Sequence, residues 1–134
     1  QRAKYTMLEI DHLDHLVIPC SDIDKICAFY VRVLNMRRID FGEGRVALGF
    51  GQQKINLQPA GWAYTLRAQN HIEGTADFCL ITKTPMDDVV AHLQACKVEI
   101  EEGPSIRSGA VGPINSVYFR DPDGNLVEVS NYPK

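Results

Sequence analysis

The order of apolar and polar residues divides the chain into short strand-like runs and two stretches of helical periodicity. Leu13 to Pro19 (LDHLVIP) is a brief apolar run rich in β-formers and closed by Pro19 and Cys20. Ser21 and Asp22 then offer an N-cap. Ile23, Ile26, Phe29, Tyr30, Val33 and Leu34 recur at helical spacing, which predicts a helix to about Met36. Three strands follow, Arg37 to Phe41, Arg45 to Phe50 and Gln53 to Gln58, with glycine turns at Gly42-Glu43-Gly44 and Gly51-Gln52. The segment from Pro59 to Gly74, with Trp62, Tyr64 and His71, is polar and irregular and reads as a linker.

After the linker the order restarts. Ala76 to Thr82 (ADFCLIT) predicts a strand, and Thr84-Pro85 opens a helix with Met86, Val89, Val90 and Leu93 on one face, ending near Cys96. Val98 to Glu101 predicts a strand, Gly103 to Pro113 a loop, and Ile114 to Arg120 and Leu126 to Ser130 two strands around Asp121-Pro122-Asp123-Gly124. The halves match one another: DHLVI at Asp14 to Ile18 answers DFCLI at Asp77 to Ile81, and KINLQ answers NLVEV. The expected fold is α+β, two βαβββ modules of about residues 8–60 and 74–132 within one domain over 8–134, with 1–7 as an extension. Two such modules side by side would form a curved mixed sheet around a central cleft, helices outside, and a small ligand would sit in that cleft.

Composition narrows the partners. The chain has 134 residues, 45% of them hydrophobic and 23% charged, so a disordered or fibrous class is excluded. Fourteen Lys and Arg against 17 Asp and Glu leave a net charge of −3, without the basic stripe that nucleic-acid binding requires. No apolar run approaches the roughly 18 residues of a membrane span. Cys20, Cys27, Cys79 and Cys96 form no CxxC pair and lie in apolar segments, which predicts buried free thiols, a reducing compartment and a cytoplasmic protein.

Three motifs go further: DHLVI with Asp22 seven residues after His15, the helix CAFYVRVLNM, and YFRDPDGNLVEV. With them, Leu13 to Tyr132 resembles the vicinal oxygen chelate superfamily of glyoxalases, bleomycin-resistance proteins and extradiol dioxygenases, and within it small glyoxalase-domain proteins. The resemblance implies a divalent metal ion in the cleft, held from the inward faces of four strands, and substrates that chelate it through adjacent oxygens. It places His15 and Glu128 as ligands, with Asn56 at the first module's counterpart of Glu128. Asn56 and Gln58, on one strand face, are neutral amides and weaker ligands than a carboxylate. At the start of the second module either Asp77 or Phe78 faces the cleft, and a one-residue shift in alignment decides which. Asp77 inward completes an oxygen-rich set, whereas Phe78 inward leaves two good ligands. His71 reads as a linker residue and His92 as an exposed helical position.

The chemistry this implies is glyoxalase-I-like lyase or isomerase action on a small oxygenated substrate, with glutathione conjugates among the candidates. Glu128 is the base in that scheme, and a carboxylate is missing at Asn56. An extradiol dioxygenase wants two His and a carboxylate on iron(II), and only His15 is well placed. Thiol or water addition to an electrophilic drug is a related enzymatic reading. A non-catalytic protein that sequesters a small molecule in an aromatic cleft, using Trp62, Tyr64 or Tyr118, is the third class. Gly103 to Pro113 reads as a lid, and its Arg107 as either a solvated surface arginine or the holder of an anionic substrate group. A paired-module chain is expected to complete its cleft as a homodimer.

Overall fold

The computed structural model describes residues 7–134, so residues 1–6 of the expected extension lie outside the described residues. The elements run β1 (His15–Cys20), α1 (Ile23–Leu34), β2 (Arg37–Phe41), β3 (Arg45–Phe50), β4 (Gln53–Pro59), β5 (Asp77–Ile81), α2 (Met86–Ala95), β6 (Glu102–Gly109), β7 (Gly112–Arg120) and β8 (Leu126–Asn131). This is the βαβββ order, twice.

Each module builds its own four-stranded mixed sheet, in the orders β1-β4-β3-β2 and β5-β8-β7-β6. The first strand of each module pairs parallel with the last, β1 with β4 and β5 with β8. The helix between them supplies the crossover such a pairing needs. The internal rhyme of the sequence is thus a rhyme of topology.

Helix α1 begins where Asp22, in an extended conformation, accepts a hydrogen bond from the Lys25 N–H, and it ends at Asn35 in the left-handed region. Helix α2 starts at Met86 after Pro85, without a side-chain cap. Ile26, Cys27, Tyr30 and Val33 of α1 enter a core shared with Ile18, Leu48, Ile55 and Leu57 of the first sheet and Val117, Phe119, Val127 and Val129 of the second. Phe29 meets Phe119 with ring centroids 6.2 Å apart, and Tyr30 stacks on Phe78 at 6.5 Å. One apolar core therefore spans both modules.

The DPDGN turn between β7 and β8 makes the polar joint. Asp121 is buried; its Oδ1 accepts from the N–H groups of Asp123 and Asn125, and its Oδ2 accepts from Asn125 Nδ2 and, at 2.7 Å, from the Tyr30 hydroxyl. Asp123 accepts from the backbone N–H and the hydroxyl of Ser21, just before α1. The DPDGN motif works first as a clamp between modules.

Two local expectations change. Val98 to Glu101 is irregular, and the segment read as a loop from Gly103 to Pro113 is instead β6, the tight turn after it and the start of β7. Gly103, Pro104 and Gly109 hide the strand alternation that β6 keeps as an edge strand. No lid remains there. Among the described residues, no helix is long and apolar enough to cross a membrane.

Candidate functional site

A strand's side chains alternate between faces, so the core fixes what lies opposite it. On β1, Leu16, Ile18 and Cys20 pack inward, which puts His15, Val17 and Pro19 on the open face. The register β1 to β4 sets Val17 beside Asn56 and Pro19 beside Gln58, so both amides share that face. On β5, Phe78 and Leu80 pack toward the core, which puts Asp77, Cys79 and Ile81 outward. This decides between the two alignments: Asp77 shares a face with Glu128, and Phe78 lies on the core side against Tyr30. The residue directly across from Glu128, however, is Cys79, while Asp77 pairs with Leu126.

Glu128 is half-buried among hydroxyls. Ser116 Oγ donates to its Oε2 at 2.6 Å, and Ser130 Oγ stands 3.4 Å from the same oxygen. Ser116 and Ser130 are fully buried and lie 2.6 Å apart, and the Cys79 thiol is 3.3 Å from Ser130 Oγ. Tyr118 pairs with Glu128 from β7. Burial, then the neighbouring carboxylate, raises the Tyr118 phenol above its ordinary value, and burial raises the Cys79 thiol despite the Ser130 hydrogen bond. Arg107, placed on β6 rather than in a lid, forms an ion pair with Glu102 and lies over the Tyr118 ring at 5.4 Å. It braces this face; its charge already has a partner.

The first sheet's face is built differently. His15 is exposed, with Nδ1 2.7 Å from Asp14 Oδ2. Asn56 is 5% exposed, and its Oδ1 has no hydrogen-bond partner and is shut off from solvent. Gln58 is buried, and its Oε1 accepts from Nε2 of His71, whose Nδ1 accepts from the Gly61 N–H. His71, read from sequence as a linker residue, is 5% exposed and pins that linker over the open face. His92 is likewise not a free surface residue: its Nε2 donates to the Val33 carbonyl at 2.7 Å, tying α2 to α1. Trp62 and Tyr64 stack on one another at 5.2 Å and stay partly exposed.

The expected ligands of a divalent ion are therefore split. His15 and Asn56 stand on one sheet, Asp77 and Glu128 on the other, and both sets lie on faces turned away from the common core. Among the described residues, no group of three or more His, Cys, Asp or Glu is placed to hold a metal. Asn56 offers an amide oxygen that protein atoms enclose, in place of the carboxylate such an ion prefers. The donor set of one chain does not fit a divalent metal.

Sequence reasoning found His15, Asn56, Gln58, Tyr118 and Glu128 on the open faces, and missed Cys79, Ser116 and Ser130. Cys79 was taken for a buried thiol and is exposed, while Cys20 and Cys27 are buried and Cys96 is partly so. The serines carry no sequence signal alone, since they matter only through the pairing of β7, β8 and β5.

Comparison with known proteins agrees with this architecture. Residues 12–129 match the model of the Glyoxalase/Bleomycin resistance protein/Dioxygenase superfamily. The chain is 46% identical to the glyoxalase domain-containing protein RDO1 of Mycosarcoma maydis, over 98% of this chain and 74% of that one. It is also 46% identical to the virulence protein STM3117 of Salmonella typhimurium, over 92% of this chain and 85% of that one. The solved structure of the V. cholerae integron cassette protein VCH_CASS1 superposes with a TM-score of 0.93 at 50% identity, covering 96% of this chain and all (100%) of that one. By its duplicated βαβββ topology and by sequence, the chain belongs to the Glyoxalase/Bleomycin resistance protein/Dioxygenase superfamily.

Proposed function

We propose that the protein binds and transforms a small oxygenated molecule by proton transfer, as a lyase or isomerase of glyoxalase-I type, with Glu128 as the base. The observation that carries this is the setting of Glu128: a half-buried carboxylate on an open face, hydrogen-bonded by hydroxyls. Hydroxyl donors orient one oxygen of the carboxylate and leave the other to accept a proton. The working form is a homodimer in which the open face of the first sheet meets the second sheet's face from another copy. Exposed Val17 and Ile81 on these faces favour being covered.

Such pairing would bring His15 and Asn56 opposite Glu128, and a metal in that cleft would depend on both subunits. When bound, a divalent ion supplies polarisation of the substrate oxygens; His15 and Glu128 are the residues that would hold it. The chain's own contributions are orientation of Glu128 by Ser116, a phenol at Tyr118 beside the carboxylate, and an amide surface at Gln58 held by His71. An iron dioxygenase is less well served, because His71 and His92 are both engaged in structural hydrogen bonds.

The test is turnover of methylglyoxal with glutathione, with metal content measured on the purified protein and Glu128→Gln as control. We expect activity above the uncatalysed background and a loss of at least about 100-fold in Glu128→Gln, the scale of a general base. Background rates in the unaltered protein, together with tight binding of an aromatic or drug-like compound, would replace the enzyme by a sequestering protein.

A further inference from the structure

Among the described residues, the open face of the first sheet carries cations and no strand acid. Arg45 pairs with Phe41, while Lys54 pairs with His15 on one side and Gly49 on the other. These positions alternate with the core residues Val46, Leu48, Ile55 and Leu57, so they share the face of Asn56 and His15. Asp40, the single acid within β1 to β4, pairs with buried Val46 on the other face, and Arg38 holds it.

Two of the cations share one ring. The Arg45 guanidinium carbon lies 4.6 Å from the Phe41 ring centroid, and Lys54 Nζ lies 4.0 Å from it. Cation–π attraction thus holds both heads within about 9 Å of each other, where like charges repel. Among the described residues, neither head has an ion-pair partner. Asp14 is taken by His15, and the arginine pairs belong to Arg38, Arg107 and Arg120. A cavity of about 190 Å³ adjoins them, walled by Phe41, Arg45, Asn56, Gln58 and Trp62, with Glu43 in the same wall. That volume suits the charged end of a ligand, since whole drug-sized molecules need more.

We propose that Arg45 and Lys54, set against Phe41, form an oxyanion subsite that selects substrates carrying a carboxylate or phosphonate group. The inference rests on reading the open faces as the substrate site and adds the class of substrate. An oxyanion between the two heads relieves their repulsion and accepts charge-assisted hydrogen bonds from both. The planar Arg45 guanidinium meets two oxygens in parallel, and the Lys54 ammonium adds a point charge. The open face of the second sheet carries Asp77 and Glu128, and its Arg107 is already paired with Glu102. An anionic group is therefore drawn to the first sheet, which leaves the rest of the molecule for Glu128.

The experiment titrates the full chain with sodium acetate, with methylphosphonate and, at matched ionic strength, with sodium chloride. Amide chemical shifts report binding, and sedimentation reports the oligomeric state. Saturable shifts centred on Phe41, Arg45 and Lys54 are expected with acetate and methylphosphonate and not with chloride. The tighter of the two identifies the group the subsite prefers. Lys54→Met and Arg45→Met should each weaken binding about fivefold or more. Lys54→Arg should restore most of it, and Lys25→Met on α1 should change nothing. Shifts that are absent, or spread evenly over surface lysines and arginines, would overturn the proposal. So would a Lys54→Met protein that loses its dimer yet binds the anions as before, because the cations would then serve the subunit contact. Oxyanion binding without turnover of methylglyoxal and glutathione would uphold the subsite and sink the lyase reading. Turnover without oxyanion binding would do the reverse.

Discussion

At the scale of single residues, burial separates cysteines that the sequence could not rank. Cys79 and Cys20 both lie in apolar runs, yet strand parity sends one outward and the other into the core. Cys20 is 1% exposed, and burial, followed by the charges of Asp123 and Asp121, pushes its thiol up to about 12 from 9.0. A folded value above the unfolded one means that the folded state holds the proton longer. The stability linked to Cys20 is complete below pH 9 and is lost as pH rises toward 12. Against the unfolded thiol, the loss at pH 10.5 amounts to roughly 2 kcal/mol. Urea unfolding at pH 8 and pH 10.5 should show this drop in the unaltered protein, and Cys20→Ala should lose that share of it. An equal drop in both proteins would mean that other groups carry the alkaline sensitivity.

At the scale of elements, most of the fold was legible because periodicity and turns agreed. Among the described residues, both helices and seven of the eight strands were located within a few residues. The element misread was β6, for a physical reason: its apolar content is a lone Ile106, and Gly103, Pro104 and Gly109 imitate a loop. What makes it a strand is pairing with β7, a non-local contact that no local pattern records. The register shifts between Glu102 and Ser105, and Gly103 at φ +101 absorbs the bulge. A Cβ there would stand 2.3 Å from the Ser116 carbonyl oxygen. Gly103→Ala should accordingly cost about 2–4 kcal/mol, by strain and by the displaced backbone together. The urea midpoint should fall with an unchanged slope; an unaltered midpoint would show that the bulge relaxes freely. The displaced Ser116 is the donor to Glu128, so the same change should weaken activity in whatever fraction stays folded.

At the scale of the whole molecule, the candidate site was legible as residues and not as an assembly. His15, Asn56, Gln58 and Glu128 were identified from their strands, but no pattern in one chain shows whether the two faces bearing them meet. In the structure they lie on separate sheets, each open on the side away from the shared core. A cleft shared between two copies makes a prediction that a cleft within one chain does not. In a dimer, each site would take His15 from one subunit and Glu128 from the other. Chains carrying His15→Ala and chains carrying Glu128→Gln should each be inactive alone. Mixed, unfolded together and refolded, half of the dimers would be hybrids, and each hybrid would hold one site with both residues intact. Recovered turnover should reach about a quarter of the unaltered protein's, as random pairing of symmetric dimers requires. Sedimentation of the unaltered protein should show a dimer at the concentrations where the assay works. No recovery from a properly refolded mixture would place His15 and Glu128 in one chain's site, or remove His15 from the site, and the cross-subunit cleft would fall with it.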